Sequence, residues 1–294
     1  MNARITNQTL MASAQRNLQS NMTRLATLQN KAMTQQKITR PSDDPSAAAA
    51  SLKVRAQQSA ADQYGRNIAN GNGWLSTLDA AMSHSTGILN RVRDLTIQGA
   101  NDSVPPAAKE AIAVELEGLR ADLLGQANTQ YLGRNVFAGS SDAVGAFVSP
   151  GPVFSGVAGS TVERRIGPES TVRVDADGAA VFGTGAASVF TLIDNIVADL
   201  RSGTNIGPRL IEIDARHDAF VGNHADIGTR HAQLLRAEDM NMELSGLLET
   251  QRSGIEDVDI GAVILDLNLQ EVNYRTALAV TAKVLQPTLM DFLR

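Results

Sequence analysis

Thr39-Arg40-Pro41-Ser42-Asp43-Asp44-Pro45-Ser46-Ala47-Ala48-Ala49-Ala50 is the stretch on which the reading of this chain turns. Proline disfavours the helical conformation of the residue before it, so Arg40 and Asp44 are both pushed out of the α region. A helix arriving from the N-terminus is therefore expected to stop at about Thr39. Asp44 then stands as an N-cap with Pro45 at the first helical position, and the alanine run launches the next helix. Two carboxylates at a helix start also suit the positive end of its dipole. Taken alone this is a well-punctuated helix–helix junction. Its surroundings give it more meaning.

Upstream, Met11, Ala14, Leu18, Leu25, Leu28 and Ala32 fall on alternating steps of three and four, with Asn21 and Gln35 at the remaining positions. That is a heptad seam with polar interruptions, the pattern of a helix that wants a partner helix. Its stripe is thin, so the segment is expected to be disordered in an isolated monomer. Residues 1–42 carry Arg4, Arg16, Arg24, Lys31, Lys37 and Arg40 and no acid. Residues 254–294 carry Glu256, Asp257, Asp259, Asp266, Glu271 and Asp291 against Arg275, Lys283 and Arg294. Opposite charge at opposite ends suggests that the termini pair, although independently solvated helix faces are the commoner origin of such runs.

Downstream, a helical pattern runs from Pro45 to about Ala100, and Asn70-Gly71-Asn72-Gly73 is expected to be a weak point or kink within it. Ser103-Val104-Pro105-Pro106 reads as a loop and helix start. Ile112, Leu116, Leu119, Leu123, Ala127 and Tyr131 then mark one face of a helix ending near Gly133. Residues 136–187 are rich in Gly, Ser, Val and Pro, and read as a small β-rich insertion in which Asp177-Gly178 signals a hairpin. Helix returns at about Val189 and stops near Ser202-Gly203. Ile206, Ile213, Phe220, Ile227, Leu234, Asn241 and Leu248 stand at intervals of seven, a coiled-coil-like stripe. A last helical segment runs from Ile260 through Val263, Ile264, Leu267, Tyr274, Leu278, Val284 and Leu285 to the break at Pro287. The fold class is mainly α, with long antiparallel helices, coiled-coil termini and an inserted β-rich segment.

Composition argues against most chemistry. The chain is 43% apolar but only 4% aromatic, and it contains no cysteine, so it has neither a disulfide framework nor a thiolate metal site. No stretch approaches the roughly 18 apolar residues of a membrane span, so no membrane insertion is expected. Met1-Asn2-Ala3-Arg4-Ile5-Thr6 lacks the apolar core of a secretory signal. His217, His224 and His231 lie seven apart, about 10 Å along a helix and too far to share a metal. They read as seam histidines with polar partners, with a pH-sensitive interface as the lesser alternative. Glu238 with Asp239, and Glu256 with Asp257 and Asp259, read as solvated faces. Phosphate-binding loops, zinc motifs and nucleophile elbows are missing, and the basic residues lack the aromatic partners that nucleic-acid binding uses. The expectation is no enzyme, no cofactor and no nucleic acid.

With these residues in view, the chain resembles bacterial flagellin-like proteins. The resemblance rests on the amphipathic N-terminus, the Thr39–Pro45 turn with its alanine run, Asn67-Ile68-Ala69-Asn70-Gly71, and Asn273-Tyr274-Arg275-Thr276-Ala277-Leu278 through Leu289-Met290-Asp291-Phe292-Leu293. It covers about residues 1–138 and 190–294. Filament members usually read Arg-Ile-Asn-Ser-Ala at the turn. Arg40-Pro41-Ser42-Asp43-Asp44-Pro45, with Asn135-Val136-Phe137-Ala138-Gly139-Ser140, is more similar to the hook–filament junction branch. The resemblance implies an inner helical coiled-coil domain from 1–42 with 254–294, a helical middle domain from 43–135 with 189–253, and a β-rich outer domain from 136–188. It also implies unfolded export through the flagellar type III channel and an extracellular place in the flagellum. The implied partners are copies of itself in a ring or helical layer, hook-associated protein 1, flagellin and an export chaperone. On this reading Leu18, Leu25, Leu28, Leu267, Leu278, Val284 and Leu285 form the inner seam, and Arg40, Asp43, Asp44 and Pro45 the inter-domain joint. The alternatives are a short filament flagellin and, from another class, a secreted coiled-coil adaptor with an unrelated partner.

Overall fold

The computed structural model describes residues 7–148, 153–157 and 159–284. Seven α-helices dominate it: α1 (Asn7–Thr34), α2 (Pro45–Gly99), α3 (Pro106–Ala127), α4 (Gly178–Phe182), α5 (Val189–Ser202), α6 (Arg209–Glu256) and α7 (Ile260–Val284). The chain divides into two compact units, one of residues 60–244 and one of residues 1–59 with 245–294. The division falls within α2 and α6, not at the Pro41–Pro45 turn.

In the 60–244 unit, α2 and α6 run antiparallel. His231 Nε2 lies 2.6 Å from Asn72 Oδ1, His224 Nε2 lies 2.8 Å from Asp79 Oδ1, and Arg93 donates to Asp214 at 2.7 Å. The seven-residue stripe faces inward as its period requires, with Ile213, Phe220, Ile227 and Leu234 buried and Ile206 buried ahead of the helix. Two of the three seam histidines thus hold polar partners on α2. Helices α3 and α5 also pack antiparallel, tied by Arg201 to Glu110 and Glu117 and by Arg120 to Asp194.

Asn70-Gly71-Asn72-Gly73 does not break α2. The glycines serve close approach instead: a Cβ on Gly73 would lie 2.2 Å from the Tyr131 hydroxyl, and one on Gly71 3.2 Å from Val174. Two sequence expectations are corrected. Helix α3 ends at Ala127, not near Gly133. Tyr131 belongs to a hairpin of β1 (Gln130–Tyr131) and β2 (Arg134–Asn135). Its two-residue turn puts Leu132 at φ 49° and Gly133 at φ 77°, the left-handed pair that a tight hairpin demands. Asp177-Gly178 is not a hairpin either: the Asp177 carboxylate accepts from Ala179 N and caps α4.

The inserted segment contributes two further antiparallel hairpins, β3 (Phe147–Val148) with β4 (Val153–Phe154) and β5 (Glu163–Arg165) with β6 (Thr171–Arg173). Its apolar residues join the core of the helices. Phe182 lies 5.1–5.9 Å, ring centre to ring centre, from Phe137, Phe147, Phe190 and Phe220. Phe147 also meets Phe154. Six of the chain's seven phenylalanines are therefore spent in one cluster, which leaves the rest of the helical packing to aliphatic and small side chains. Aromatic pairs in this geometry add to the effect of area burial.

The glycines give opposite expectations for one substitution. Gly118 of α3 has open space around its Cβ position, so Gly118→Ala should stabilise the unit by about 1 kcal/mol through helix propensity. Gly73→Ala should destabilise it by about 1–3 kcal/mol through overpacking against Tyr131. Urea denaturation of both variants measures the sign of each change.

Candidate assembly interface

The other unit is built on α1 and α7. Gln36 bridges Asp257 in antiparallel sense just beyond the end of α1, and the Gln270 side-chain amide donates to Asn21 near the middle of both helices. The two helices therefore run antiparallel. On α1 the inward positions are Ala14, Leu18, Asn21, Leu25, Leu28 and Ala32; on α7 they are Val263, Leu267, Gln270, Tyr274, Ala277 and Thr281. Both sets step four, three, four, three, four. That is the spacing of facing seams.

The seam is shallow. Leu18, Leu25, Leu28 and Leu267 are only half-buried, while Val263 and Gln270 are the buried members. Leu278 is 43% exposed, because Ala277 takes the inward position one residue earlier. The Val284 side chain and all of Leu285 lie outside the described residues. Beyond the seam the pair carries a large apolar exterior: Met22 and Met33 on α1, and Ile264, Leu265, Leu269, Val272 and Val280 on α7, are all exposed. A helix apolar on every side is one that wants burial on every side. Among the described residues no ion pair joins α1 to α7, so the pairing anticipated from charge is made by the seam instead.

Helix α1 ends at Thr34, five residues before the expected stop. Gln35 turns into the left-handed region at φ 58°, and the chain then pairs with the end of α6. Lys37 N donates to Glu256 O at 2.7 Å, Val258 N to Gln35 O at 3.0 Å, and Lys37 Nζ to Gly254 O at 2.9 Å. This bridge takes the backbone groups that a longer helix would have used. Next comes the turn. Asp43 accepts from Thr39 Oγ1 at 3.0 Å and from Arg40 N at 2.9 Å, and these bonds hold its carboxyl below the usual range. Asp44 Oδ1 accepts from Ala47 N at 2.9 Å and caps α2, with Pro45 as the first helical residue. Arg40 contributes its backbone N–H to the turn, a bond any residue but proline could supply.

The sequence reading missed the centre of this unit. Glu256, expected on a solvated face, is 5% exposed. Its carboxylate accepts two bonds from Arg55, at 2.7 and 2.8 Å, one from Ser51 Oγ and a longer one from Arg252. A forked Arg–carboxylate pair is strong and geometrically selective. The Arg55 bond, followed by that from Ser51, pulls the Glu256 pKa from an ordinary 4.5 down to about 2. No local signal marks this residue, because its donors on α2 lie some 200 positions away.

The depressed pKa fixes the sign of a pH effect. The contribution of Glu256 is fully present above about pH 4.5 and is lost as pH falls toward about 2. Glu256→Gln should weaken the unit by about 1.5–3 kcal/mol at pH 7 and flatten its stability profile between those limits. Hydrogen exchange at the Lys37 and Val258 amides, compared with amides of α5, measures both effects.

Among the described residues no cluster of histidines and carboxylates could hold a metal, and no helix is long and apolar enough to cross a membrane. Comparison with known proteins gives the arrangement a context. Residues 5–142 match the family model of the bacterial flagellin N-terminal helical region. The flagellar filament 30.7 kDa core protein of Treponema maltophilum is 24% identical over 254 residues, 84% of each chain. Flagellar hook-associated protein 3 of Salmonella typhimurium is 21% identical over 264 residues, 81% of this chain and 83% of that protein. In fold, the chain is similar to a solved structure described as a putative flagellar hook-associated protein from Vibrio parahaemolyticus. That likeness has a TM-score of 0.67 at 23% identity and spans 73% of this chain and all of the other. Residues 5–142 thus carry the helical region that the bacterial flagellin N-terminal model describes, and the likenesses that run along most of the chain are to flagellar filament and hook-associated proteins.

Proposed function

We propose that this protein is a subunit of the hook–filament junction of the bacterial flagellum, a non-catalytic adaptor that joins hook-associated protein 1 to the flagellin filament. The observation that carries the reading is the α1–α7 pair, whose seam is half-buried and whose outer faces are apolar and open. Such a pair is incomplete by itself, since exposed apolar surface of this extent marks an interaction site. Neighbouring copies in a ring or helical layer would cover it. The weak seam also suits export of an unfolded chain through the flagellar type III channel, with an export chaperone shielding the apolar helix, and ordering of the termini at assembly. The unit of residues 60–244 keeps its own aromatic and aliphatic core throughout.

A junction role is favoured over a filament role by the Arg40-Pro41-Ser42-Asp43-Asp44-Pro45 turn and by the likeness to hook-associated protein 3. The match to the Treponema filament core protein keeps a short filament flagellin as the second reading. Expression in a host strain lacking its junction protein, and in one lacking flagellin, separates the two: restored filament attachment in the first strain alone supports the junction. In the same host Leu25→Asp should leave the 60–244 unit folded and abolish filament attachment and swimming. Normal motility of that variant would remove the seam from the mechanism. Limited proteolysis of the monomer tests the remaining alternative, since a self-contained coiled-coil adaptor would protect both termini from digestion.

A further inference from the structure

Both seams carry one carboxamide, and the two meet. Gln270 Nε2 donates to Asn21 Oδ1 at 3.3 Å and to Asn21 O at 3.2 Å, and Gln270 is 8% exposed. Among Ala14, Leu18, Asn21, Leu25, Leu28 and Ala32, the four–three steps of the α1 seam, Asn21 alone has a side chain able to accept this bond; half-buried Ser13 and Lys31 lie one residue off that line. The main-chain carbonyl accepts whatever residue stands at 21; the side-chain oxygen does not. Sliding α7 by one heptad would set Gln270 against Ala14 or Leu28, and Asn21 against Ala277 or Val263. Each slide keeps the apolar layers facing one another and buries two carboxamides without their partner. The apolar layers alone therefore distinguish poorly between alignments, all being aliphatic or small apart from Tyr274 and Thr281.

We infer that the Asn21–Gln270 pair is the register lock of the terminal helices, selecting one antiparallel alignment of α1 and α7 at some expense in stability. A single polar pair in an otherwise apolar seam has this effect on helix pairing. Neither ionic contacts nor covalent bonds compete for the role, because among the described residues no ion pair joins the helices and the chain has no cysteine. The lock matters because register decides which apolar residues of α7 face outward at a given level. The inference concerns pairing within one chain, and it stands whether that chain serves a junction or a filament.

The absence of native cysteine makes the alignment directly readable. Leu18→Cys with Tyr274→Cys reports the native register, being one layer from the lock. Leu25→Cys with Tyr274→Cys reports the alignment displaced by one heptad. Both pairs are placed in the full chain and oxidised in the assembled state, where the termini are ordered, and intramolecular and intermolecular disulfides are counted separately by mass spectrometry. In the otherwise unsubstituted chain the native pair should form at least about tenfold more intramolecular disulfide than the displaced pair, the ratio expected when one buried hydrogen-bonded carboxamide discriminates two packings. Asn21→Leu, which leaves the main-chain acceptor in place, should bring the ratio to within about threefold, roughly what the poorly discriminating apolar layers supply. Asn21→Gln should restore it, at least in part. Two results would overturn the inference: an unchanged ratio in Asn21→Leu, or no preference between the pairs in the unsubstituted chain. Should Asn21→Leu reduce both disulfides equally, the pair would be a stabilising contact and not a register device, and the inference would again fail.

Discussion

Three side chains and one carboxylate hold the terminal unit in order. Glu256 stands where α6 ends, and the donors that converge on it come from α2 and from the preceding turn of α6. Its own carbonyl receives the Lys37 amide, so the same residue anchors the segment that follows α1. Through that bridge the end of α1 and the start of α7 are delivered side by side. The helix pair is then a consequence of the node, because two thin seams would not find each other unaided. A buried carboxylate with satisfied lone pairs is costly to disrupt, since losing one donor leaves charge without compensation.

The two units solve the burial problem differently. Residues 60–244 close their core, with Trp74, Phe137, Phe147, Phe182, Phe190 and Phe220 almost wholly withdrawn from water. The terminal unit leaves its leucines half-buried and its outer methionines, leucines and valines in solvent. One part of the chain is finished as a monomer; the other is specified but unfinished. That contrast fits a subunit delivered unfolded and completed by its neighbours, and it needs no catalytic site to account for it.

Much of this was legible in the residues. The seven-residue stripe of α6, the α1 seam and the Asp44–Pro45 helix start each rest on local spacing, and spacing survives folding unchanged. What escaped was tertiary. The stop at Thr34 depends on a bridge to residues 256–258, and no propensity at Gln35 announces it. Leu278 reads as a seam residue from its hydrophobicity, yet α7 is hydrophobic on all sides, and the heptad that faces α1 passes through Gln270, Ala277 and Thr281. Glycines of the Asn70–Gly73 run read as a weak point in a continuing helix, and their close approach to Val174 and Tyr131 carries no local signal. Glu256 looked like surface because carboxylates usually are.

The missing ion pairs between α1 and α7 have a consequence for the medium in which the protein works. Ions that screen charge weaken contact salt bridges, and among the described residues the interface has none to weaken; apolar seams are indifferent to dissolved sodium chloride or slightly strengthened by it. What salt does erode is the mutual repulsion of α1 helices, which carry Arg16, Arg24 and Lys31 and no acid. Fresh water and brine would thus hold the correct pair about equally well, while the barrier against pairing α1 with α1 of another copy falls as salinity rises.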